Sequence, residues 1–522
     1  GSSPVCNPSR NAFLSGYRPT TTGISANSHG FVREKAGFED IVTLHQYFKN
    51  EGYFVYGAGK IWHPGRMNYS KPECDPGNWT QLNTNSSGCQ GGSHSHFEAT
   101  SEKFTEFVWG GNPAPMSESN CNDFGLANDV AELIGGYGTS AQADQPFFIA
   151  CGFFRPHLPW NSPKQFWDLY SEDTLAIPKG YKEGDLTDIE GAGSSAIFEE
   201  LVLKEKWIEG IHAYLASLSL ADHNVGVVMD ALESSGYLKN TVVVFMGDHG
   251  WHLGEKDRWA KYAVYDQANH TTIIIYDPSA KGNGKVCQKV VSMQDIYPTL
   301  IELSGVTPRT DLEGRSLAPL LEDPARLDWN YPIMMTYAGT NIIKTNQYRF
   351  VDNGSRSQLY EVSKDPYEWE NLYGKSGTEP IVTFLKSEMD SMIRIGSLLR
   401  QKLLGDYHYF PVFHRIPGLI EAENYDEGVE SQTYHDADTI NEGGHYRLDG
   451  VDIAITDDPL GGAFHITSTE HGEWLTYSVS DYEKGTYEIT SRIRSDGSGD
   501  ATLRFYLNKR ELTELTISAT DT

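Results

Sequence analysis

A cysteine and an arginine close to the start of the chain are the first residues whose types and spacing could do chemistry. Residues 6–10 read CNPSR, and residues 11–16 continue as NAFLSG. Because Pro8 and Ser9 suit the first turn of a helix, the pattern predicts a helix that begins near Cys6. A helix N-terminus presents unpaired N–H groups and the positive end of the helix dipole, and both favour an anion. Cys6 and Arg10 therefore predict a site for an anionic, oxygen-rich group.

Further polar side chains come directly after apolar stretches of the chain. In chain order they are Lys60, His63, His157, Asp248 and His249. Functional groups gather at the carboxyl ends of strands in an α/β sheet, so the sequence predicts that these side chains share one site. Taken singly, each has a plainer explanation, since most lysines are solvated and most isolated histidines lie in a core or a loop.

Four short apolar runs are the strand candidates that would position these side chains. They are rich in β-branched and aromatic residues, like strands buried on both faces of a parallel sheet, and they cover residues 53–56, 147–151, 241–246 and 271–276. Helical patterns lie between them, including those at 44–50 and 208–233. This alternation predicts an α/β fold with a doubly wound sheet and helices on both faces.

The pattern changes along the 522 residues, which are too many for a single hydrophobic core. Residues 1–330 are the predicted catalytic domain, and residues 331–405, with short strands and then a long helix, are a smaller α+β subdomain. Residues 406–417 lack periodicity and are interpreted as a linker. Period-2 alternation between Gly, Asp and Ser turns then predicts an all-β sandwich of the jelly-roll type over residues 418–522.

The formal net charge of the chain is -29, and residues 418–522 hold 22 acidic against 7 basic side chains. So acidic a surface disfavours nucleic acid and anionic membranes as partners. No stretch approaches the roughly 20 apolar residues that span a bilayer, so no membrane partner is predicted. An anionic substrate would need a local cluster of cations to overcome this field.

The six cysteines form no CxxC pair of the kind that binds zinc or acts as a redox dithiol. Cys74 and Cys89 flank a loop rich in Gly, Asn and Ser and could form a disulfide in an exported protein. Cys151 lies in an apolar run and is predicted to be a buried thiol. If Cys6 is chemically special, five cysteines remain, and at least one of them is free.

The run CNPSR at 6–10, continuing to Leu14-x-Gly16, resembles the signature of type I sulfatases. The resemblance extends over about the first 375 residues and is strongest to the iduronate-type branch of that family. The matching stretches are GAGKIWHPG at 57–65, RPHLP at 155–159, DHGW at 248–251, WAKY at 259–262 and DPYEW at 365–369. The resemblance implies the alkaline-phosphatase-like form of the doubly wound fold and a sulfuric ester hydrolase.

The resemblance also assigns the nucleophile. It implies that a maturation enzyme, formylglycine-generating or anaerobic, oxidises Cys6 to formylglycine, whose hydrate is the nucleophile. Arg10 would hold its hydroxyl, and His63 would be the base that expels sulfate. A thiol would form a stable thiosulfate adduct, whereas a geminal diol keeps a second hydroxyl whose deprotonation releases the sulfate. By the same resemblance, Lys60 and Lys261 would bind sulfate oxygens.

The departing sugar oxygen and the metal complete the implied site. His157 or Lys261 would donate a proton to the leaving oxygen. Asp248, His249 and the modified Cys6 would form part of a calcium site, although calcium prefers oxygen ligands. Most members of the family have Asn at the position of His249, and the iduronate-type branch has His. The family's pair of aspartates on a strand before the signature is absent from this sequence, so we expect that the N-terminal strand is missing.

The C-terminal part resembles a family 6 carbohydrate-binding module through GLIEAENY at 418–425, GGHYR at 443–447 and GEWLTY at 472–477. The resemblance implies a structural calcium with Glu421 and Glu423 among its ligands. It also implies an aromatic sugar cleft with Tyr446 as a stacking residue, and the alternative for Tyr446 is a place in the core. The last strands of such a module are expected beyond Thr522, so the module is predicted to be C-terminally incomplete.

These patterns together predict an enzyme that removes sulfate from a sulfated polysaccharide or oligosaccharide in the periplasm or outside the cell. The iduronate-type resemblance indicates a uronate-containing glycan, and the module indicates an algal polymer such as ulvan, while sulfated galactans and fucans stay open. Two alternatives are a phosphatase or phosphonate hydrolase on the same fold and a carbohydrate-binding protein with a decayed catalytic domain. The intact CNPSR run and the retained cations argue against both.

Overall fold

The structure is a computed structural model that divides the chain into two compact units, Gly1–Tyr407 and His408–Thr522. In the first unit it describes residues 1–63, 79–83, 97–98, 108–111, 121–309 and 311–404. In the second it describes residues 409–410, 413–416, 420, 422–428, 433–436, 451–455, 464–482, 488–491, 493, 501–507 and 510–517. Each unit is considered by itself.

The described part of the first unit contains eleven α-helices and fourteen strands. The helices are Cys6–Ser15 (α1), Pro19–Thr22 (α2), Leu44–Asn50 (α3), Asn122–Gly136 (α4), Lys164–Trp167 (α5), Ala196–Leu203 (α6), Trp207–Ser234 (α7), Asp266–Asn269 (α8), Ile296–Ser304 (α9), Ala318–Glu322 (α10) and Glu379–Leu403 (α11). The strands are Phe54–Gly59 (β1), Gln81–Asn83 (β2), Phe97–Glu98 (β3), Val108–Gly111 (β4), Phe147–Gly152 (β5), Trp160–Ser162 (β6), Val243–Met246 (β7), His252–Leu253 (β8), Trp259–Ala260 (β9), Ile273–Tyr276 (β10), Ile333–Tyr337 (β11), Thr340–Lys344 (β12), Arg349–Asp352 (β13) and Gln358–Tyr360 (β14).

A three-stranded parallel sheet lies at the centre of this unit. Its order is β2-β1-β5, and Phe54 of β1 lies opposite Phe147 of β5. All residues of β1 are buried, as expected for a continuous apolar run inside a covered sheet. The structure confirms both predicted strands, at 53–56 and 147–151, and their parallel direction.

Helices cover both faces of this sheet. Phe148 of β5 packs into a cluster that includes side chains of α1, α3 and α9. Its neighbour Ile149 packs into a second cluster with side chains of α4 and α7. Successive side chains of a strand point to opposite faces, so β5 carries a core on each side. The predicted layer order, with helices on both faces, is confirmed.

The other two predicted strands form a separate antiparallel pair, in which Ile273 of β10 lies opposite Met246 of β7. The prediction that β10 belongs to a parallel sheet was wrong. Parallel neighbours are usually joined by a crossover helix, whereas the fully described connection 247–272 holds β8, a 3-10 turn at Glu255–Asp257, β9 and the short α8. The same connection carries Asp248, His249 and Lys261 of the predicted site.

The predicted α+β subdomain is confirmed as a four-stranded antiparallel sheet with a long helix. The sheet order is β11-β12-β13-β14, and α11 follows it in the chain. Phe350 of β13 and Leu385 of α11 are fully buried in one cluster. The amphipathic α11 therefore stabilises one face of this sheet.

The described residues of the second unit contain only strands. They are Tyr409–Phe410 (β15), Phe413–Ile416 (β16), Glu427–Gly428 (β17), Tyr434–His435 (β18), Ile453–Ile455 (β19), Phe464–Ile466 (β20), Trp474–Leu475 (β21), Ser478–Tyr482 (β22), Ala501–Leu507 (β23) and Arg510–Ile517 (β24). A small buried cluster joins Tyr425, Tyr434, Val451 and Ile453. The segment 406–417, predicted as a linker, differs from that expectation, because β15 pairs with β17 and β16 pairs with β22 inside this unit.

Two further predictions concern cysteines and membranes. Cys121 is disulfide-bonded, whereas Cys6, Cys151 and Cys287 are free. The predicted pair Cys74 and Cys89 lies outside the described residues. Burial raises the pKa of the Cys151 thiol to about 12, which fits an inert core thiol. Within the described residues, no helix is both long and apolar enough to cross a membrane.

Candidate active site

Cys6 is the first residue of α1, as the sequence predicted. The preceding residue, Val5, is extended (φ -143°), and Pro8 and Ser9 lie in the first turn. The Cys6 side chain is fully buried. It therefore lies at the positive end of the helix dipole, in a place that water does not reach.

Three basic side chains converge on the sulfur of Cys6. The Nζ atom of Lys261 is 3.1 Å from Sγ, Nε2 of His249 is 3.2 Å from it, and Nζ of Lys60 is 4.0 Å from it. Lys60 and Lys261 are only 4% and 6% exposed. Two ammonium groups removed from water are costly unless an anion accompanies them. The arrangement is built to hold negative charge at residue 6.

A sharp turn at the end of β1 places Lys60 beside Cys6. Gly59 has φ +75°, and a Cβ atom there would lie 2.3 Å from the carbonyl oxygen of Gly152 at the end of β5. Only glycine allows the two strand ends to approach this closely. The N–H of Lys60 then donates to the same Gly152 oxygen at 2.6 Å. The Lys60 side chain is thereby directed toward Cys6, with its Nζ 4.9 Å from the ring centroid of Phe154.

Arg10 links α1 to two strand ends. Its Nε lies 2.7 Å from Oδ2 of Asp248, and its Nη1 donates to the backbone oxygens of Lys60 and Ile61. The hydroxyl of Ser9 donates to the backbone oxygen of Asp248 at 2.5 Å. The contacts of Arg10 are thus to Asp248 and the β1 end, which fixes the loops that carry Lys60 and His249.

His157 lies next to Lys261, with its Nε2 3.3 Å from the Lys261 Nζ. Its Nδ1 is 2.7 Å from the backbone oxygen of Leu158, so Nδ1 carries the proton and Nε2 has a free lone pair. Burial lowers the pKa of His157 to about 4, which keeps the ring neutral near pH 7. In this tautomer the Nε2 of His157 accepts a hydrogen bond, and the ammonium of Lys261 donates it.

The loop that carries His157 is held by Asp123, a residue that the sequence did not single out. Its carboxylate accepts hydrogen bonds from the backbone N–H groups of Phe154 and Arg155. Asp123 is 1% exposed, and burial raises its pKa. Such contacts to backbone groups leave no sequence motif.

Electrostatics at Cys6 favour the anion strongly. Burial alone would raise the pKa of its thiol, but Lys60, His249 and Lys261 outweigh burial and hold this pKa well below its ordinary value. Burial would also raise the pKa of Asp248, yet Arg10 and His249 lower it, so this carboxylate stays ionised. The pKa of Lys60 is lowered by burial, whereas that of Lys261 is raised because Cys6 and Tyr262 outweigh burial.

His63 is the predicted site residue that the described contacts leave apart. It is partly buried, and its Nδ1 is buried without a hydrogen-bond partner in the described part of the chain. No hydrogen bond joins it to Cys6 among the described residues. Two imidazoles contact Cys6 instead: Nε2 of His249 is 3.2 Å from the sulfur, and His157 forms a hydrogen bond with the same sulfur. The Nδ1 atom of His249 is 2.8 Å from the backbone oxygen of Gly250.

Cys6, Asp248 and His249 are the predicted metal ligands, and their ligand atoms lie within 4.8 Å of one another. Calcium takes six to eight oxygen ligands. This group supplies one carboxylate, one imidazole nitrogen and one sulfur, and the carboxylate is already paired with Arg10. The described residues therefore do not fit calcium by themselves.

In the module, Glu421 and Tyr446 lie outside the described residues, and Glu423 is buried.

The backbone around Lys261 is strained and supported from the α+β subdomain. Ala260 and Tyr262, on either side of Lys261, have φ of 73° and 67°, a region that costs free energy for residues with a Cβ. Glu368, fully buried in the DPYEW run, accepts from the N–H of Asp266 at 3.0 Å and pairs with Arg349 at 2.6 Å. The sequence showed this run as a match but assigned no role to Glu368.

The fold and the site define a class of protein: a doubly wound α/β protein in which buried cations gather around residue 6 at a helix N-terminus, an arrangement suited to an anionic group. Comparisons with known proteins agree. Residues 1–306 match the family model described as Sulfatase, and residues 247–394 match the one described as N-sulphoglucosamine sulphohydrolase, C-terminal. The chain belongs to the sulfatase family, whose members are sulfuric ester hydrolases.

Two relatives illustrate the match. A sulfatase of Formosa agariphila is 32% identical over 398 residues, which are 70% of this chain and 73% of that protein. Human iduronate 2-sulfatase is 27% identical over 355 residues, which are 58% of this chain and 62% of that enzyme. The chain thus spans less than two thirds of the human relative.

Solved structures support the alkaline-phosphatase-like fold. A 2-O GAG sulfatase superposes with a TM-score of 0.56 at 20% identity, over 76% of this chain and 83% of that one. A phosphonate monoester hydrolase of Silicibacter pomeroyi superposes with a TM-score of 0.57 at 18% identity, over 74% and 85%. At these identities the likeness concerns the fold alone.

The C-terminal part is also assigned by comparison. Residues 447–522 match the model of a family 35 carbohydrate-binding module. The predicted presence of a carbohydrate-binding module is confirmed, whereas the assignment to family 6 is not. Glu421, Glu423 and Tyr446 all precede the matched range.

Proposed function

We propose that the protein hydrolyses sulfate esters of a uronate-containing glycan, with a nucleophile derived from Cys6. The observation that carries this proposal is the convergence of Lys60, Lys261 and His249 on a fully buried residue at the start of α1. Sulfate monoesters present several partly anionic oxygens, and buried cations aimed at one point suit that shape.

The charge balance supports an anionic substrate. In the structure, the Cys6 sulfur is the group that accompanies the ammonium ions of Lys60 and Lys261. If Cys6 is replaced by a neutral formylglycine, the cations Arg10, Lys60 and Lys261 face the single carboxylate of Asp248. An excess of two positive charges then remains in a buried site. One sulfate ester carries one negative charge, so its binding lowers this excess from two charges to one.

The residues have distinct tasks in this proposal. A formylglycine made from Cys6 supplies a hydroxyl that attacks sulfur and a second hydroxyl whose deprotonation lets sulfate leave. Lys60 and Lys261 hold the sulfate oxygens and absorb charge as the S–O bond breaks. Lys261 donates the proton to the departing sugar oxygen, because His157 is neutral and offers only an acceptor nitrogen toward it.

Two imidazoles are candidates for the base that deprotonates the second hydroxyl. His63 is assigned by family resemblance, and His249 is favoured by its contact with Cys6. The comparison of His63→Ala with His249→Ala separates them. The variant of the true base should accumulate sulfated residue 6, detected by mass spectrometry as a retained sulfate on the peptide that contains residues 6–10.

We propose a bound calcium ion only for the complete site of the family, in which oxygen ligands from outside the described residues would complete its coordination. Metal content of the purified chain, measured by mass spectrometry of the element, tests this point independently of activity. A stoichiometric calcium ion that is lost in Asp248→Ala would support the prediction.

The substrate class is supported by the relatives and by the module. One relative is named iduronate 2-sulfatase, and another, from F. agariphila and 25% identical over 409 residues, is named an ulvan-active sulfatase. A carbohydrate-binding module would keep the enzyme on a polymer. The disulfide at Cys121 supports a periplasmic or extracellular location, where disulfides persist. A sulfated glycan and a maturation enzyme are the proposed partners.

The experiment that tests this function is a screen of the matured protein against desalted oligosaccharides from several sulfated polysaccharides, with released sulfate measured by ion chromatography. Sulfate release from a uronate-containing oligosaccharide is the expected result. Hydrolysis of phosphonate or phosphate esters in its place would favour the alternative hydrolase. Glycan binding without any ester hydrolysis would favour the decayed enzyme.

A further inference from the structure

A cavity of about 610 Å³ opens beside Lys261. Lys261 contributes to its wall, so the cavity adjoins the site around Cys6. Its other walls come from residues 189–197, residues 258–265 and the turn at residues 353–358. Its size suits one or two sugar rings.

Two arginines line this cavity, and neither has a carboxylate partner within the part of the chain that the structure describes. Neither Arg258 nor Arg356 forms an ion pair among the described residues, and no Asp or Glu belongs to the cavity wall. Arg258 donates from Nη1 to the backbone oxygen of Gly193 at 2.5 Å. The guanidinium of Arg356 lies over Gly191, where a Cβ atom would be 2.8 Å from its Nη2.

Two other arginines of this unit are paired, since Arg349 and Arg309 lie 2.6 Å and 2.5 Å from carboxylate oxygens. Arg258 and Arg356 instead keep part of their N–H donors free beside the cavity. Guanidinium groups bind carboxylates and sulfates with two parallel hydrogen bonds, so such a pair is suited to an anionic group of the ligand.

The cavity also offers aromatic surface. Tyr262 is 44% exposed although it directly follows Lys261, and its φ of 67° directs the chain away from a regular strand. Tyr337 of β11 lies in the same wall. Aromatic rings beside charged groups are the usual surroundings of a bound sugar ring.

We propose that Arg258 and Arg356 form a subsite for a second anionic group of the glycan, a carboxylate or a second sulfate, next to the sulfate bound at Lys261. This inference rests on the proposed function and names the feature of the substrate that it selects. A glycan with the scissile sulfate as its only charge offers neither arginine an anionic partner.

The test measures binding to the full chain carrying Cys6→Ala, which does not turn over its ligand. The ligands are a sulfated disaccharide with a uronate, its carboxyl-reduced form, and a disulfated disaccharide of neutral sugars. Isothermal titration calorimetry gives the Kd of each. We expect the uronate or the disulfated ligand to bind at least tenfold more tightly than the carboxyl-reduced one, and whichever does so identifies the anionic group.

Adding Arg356→Gln should lower this preference at least tenfold, as expected for the loss of a charge-assisted contact. Arg326→Gln is the matched control, because Arg326 pairs with Asp328 and lies outside the cavity wall, and it should leave the preference within twofold. An equal affinity for all three ligands, or a preference that survives Arg356→Gln, would overturn the inference.

Failure of the proposed function would look different. Turnover of 4-methylumbelliferyl sulfate by the formylglycine-bearing chain reports sulfatase chemistry without a second anionic group. A chain that hydrolyses this ester but shows no preference in the binding assay refutes only the subsite. A chain that shows the preference but hydrolyses no sulfate ester refutes only the hydrolase.

Discussion

Lys261→Ala is the substitution that probes the cationic site most sharply. The Nζ atom of Lys261 is 3.1 Å from the Cys6 sulfur and 3.3 Å from Nε2 of His157, and the side chain is 6% exposed. Its ammonium is therefore close to the nucleophile and poorly solvated. The substitution removes both a contact to the substrate's sulfate and the proposed proton donor.

The size of the effect follows from these contacts. A charge-assisted hydrogen bond contributes about 1.5–3 kcal/mol, and each 1.4 kcal/mol is a factor of ten in rate. The loss of one such contact predicts a fall in kcat/KM of about 10- to 150-fold. The substitution also relieves repulsion on Lys60, whose pKa is lowered by burial and further by Arg10 and Lys261. Tenfold is therefore the expected minimum.

The assay is the steady-state release of 4-methylumbelliferone from its sulfate ester by preparations with equal formylglycine content. Lys239→Ala is the matched control, because Lys239 is exposed at the end of the segment after α7, and its kcat/KM should stay within twofold. An ester with a good leaving group should be less sensitive than a sugar sulfate if Lys261 donates the proton. Wild-type kinetics of Lys261→Ala on both esters would remove Lys261 from the site.

Three further predictions concern stability and organisation. Glu368→Gln breaks a fully buried pair with Arg349, so the free energy of unfolding in urea should fall by about 3 kcal/mol. Glu370→Gln breaks an exposed pair with Lys375 and should leave this free energy unchanged within the error of the measurement. Burial lowers the pKa of His252 to about 3, so its contribution to stability is complete above the ordinary pKa of about 6.5 and is lost as the pH falls from there toward 3. His252→Gln should therefore flatten the decline of the unfolding free energy between pH 6.5 and pH 4.5, and equal slopes in both proteins would contradict the assignment. Removal of all residues after Tyr407 should leave kcat/KM for 4-methylumbelliferyl sulfate within about twofold while reducing sulfate release from polymer, and the loss of both activities in a folded truncation would show that the second unit serves the chemistry.

The sequence anticipated the parts of the fold that depend on local patterning. The runs at 53–56 and 147–151 became neighbouring parallel strands because continuous apolar residues favour burial on both faces. The direction of Ile273–Tyr276 was not predictable in this way, since it depends on how the connection from Val243–Met246 folds and not on the residues of the strand itself. The strands Tyr409–Phe410 and Phe413–Ile416 were missed because each is too short to show alternation.

The candidate site was anticipated where short motifs end strands or begin a helix. The sequence alone predicted that Cys6, Lys60 and Lys261 share one site, because each lies in a distinctive run of sequence. Asp123 and Glu368 could not, because they act through backbone N–H groups and ion pairs with residues far away in the chain. The sequence placed His249 in one site with Cys6, as a metal ligand, but its direct contact with the sulfur of Cys6 became visible only in the structure.

The central claim is that residue 6, once converted to formylglycine, is the nucleophile of a sulfate ester hydrolase. Its most direct test compares two quantities across preparations matured to different degrees: the formylglycine occupancy of residue 6, from peptide mass spectrometry, and the rate of sulfate release per mole of protein. We predict a straight line through the origin, with no release from Cys6→Ala. Sulfate release at zero occupancy, or a fully converted chain that releases none from any sulfated ester, would contradict the claim.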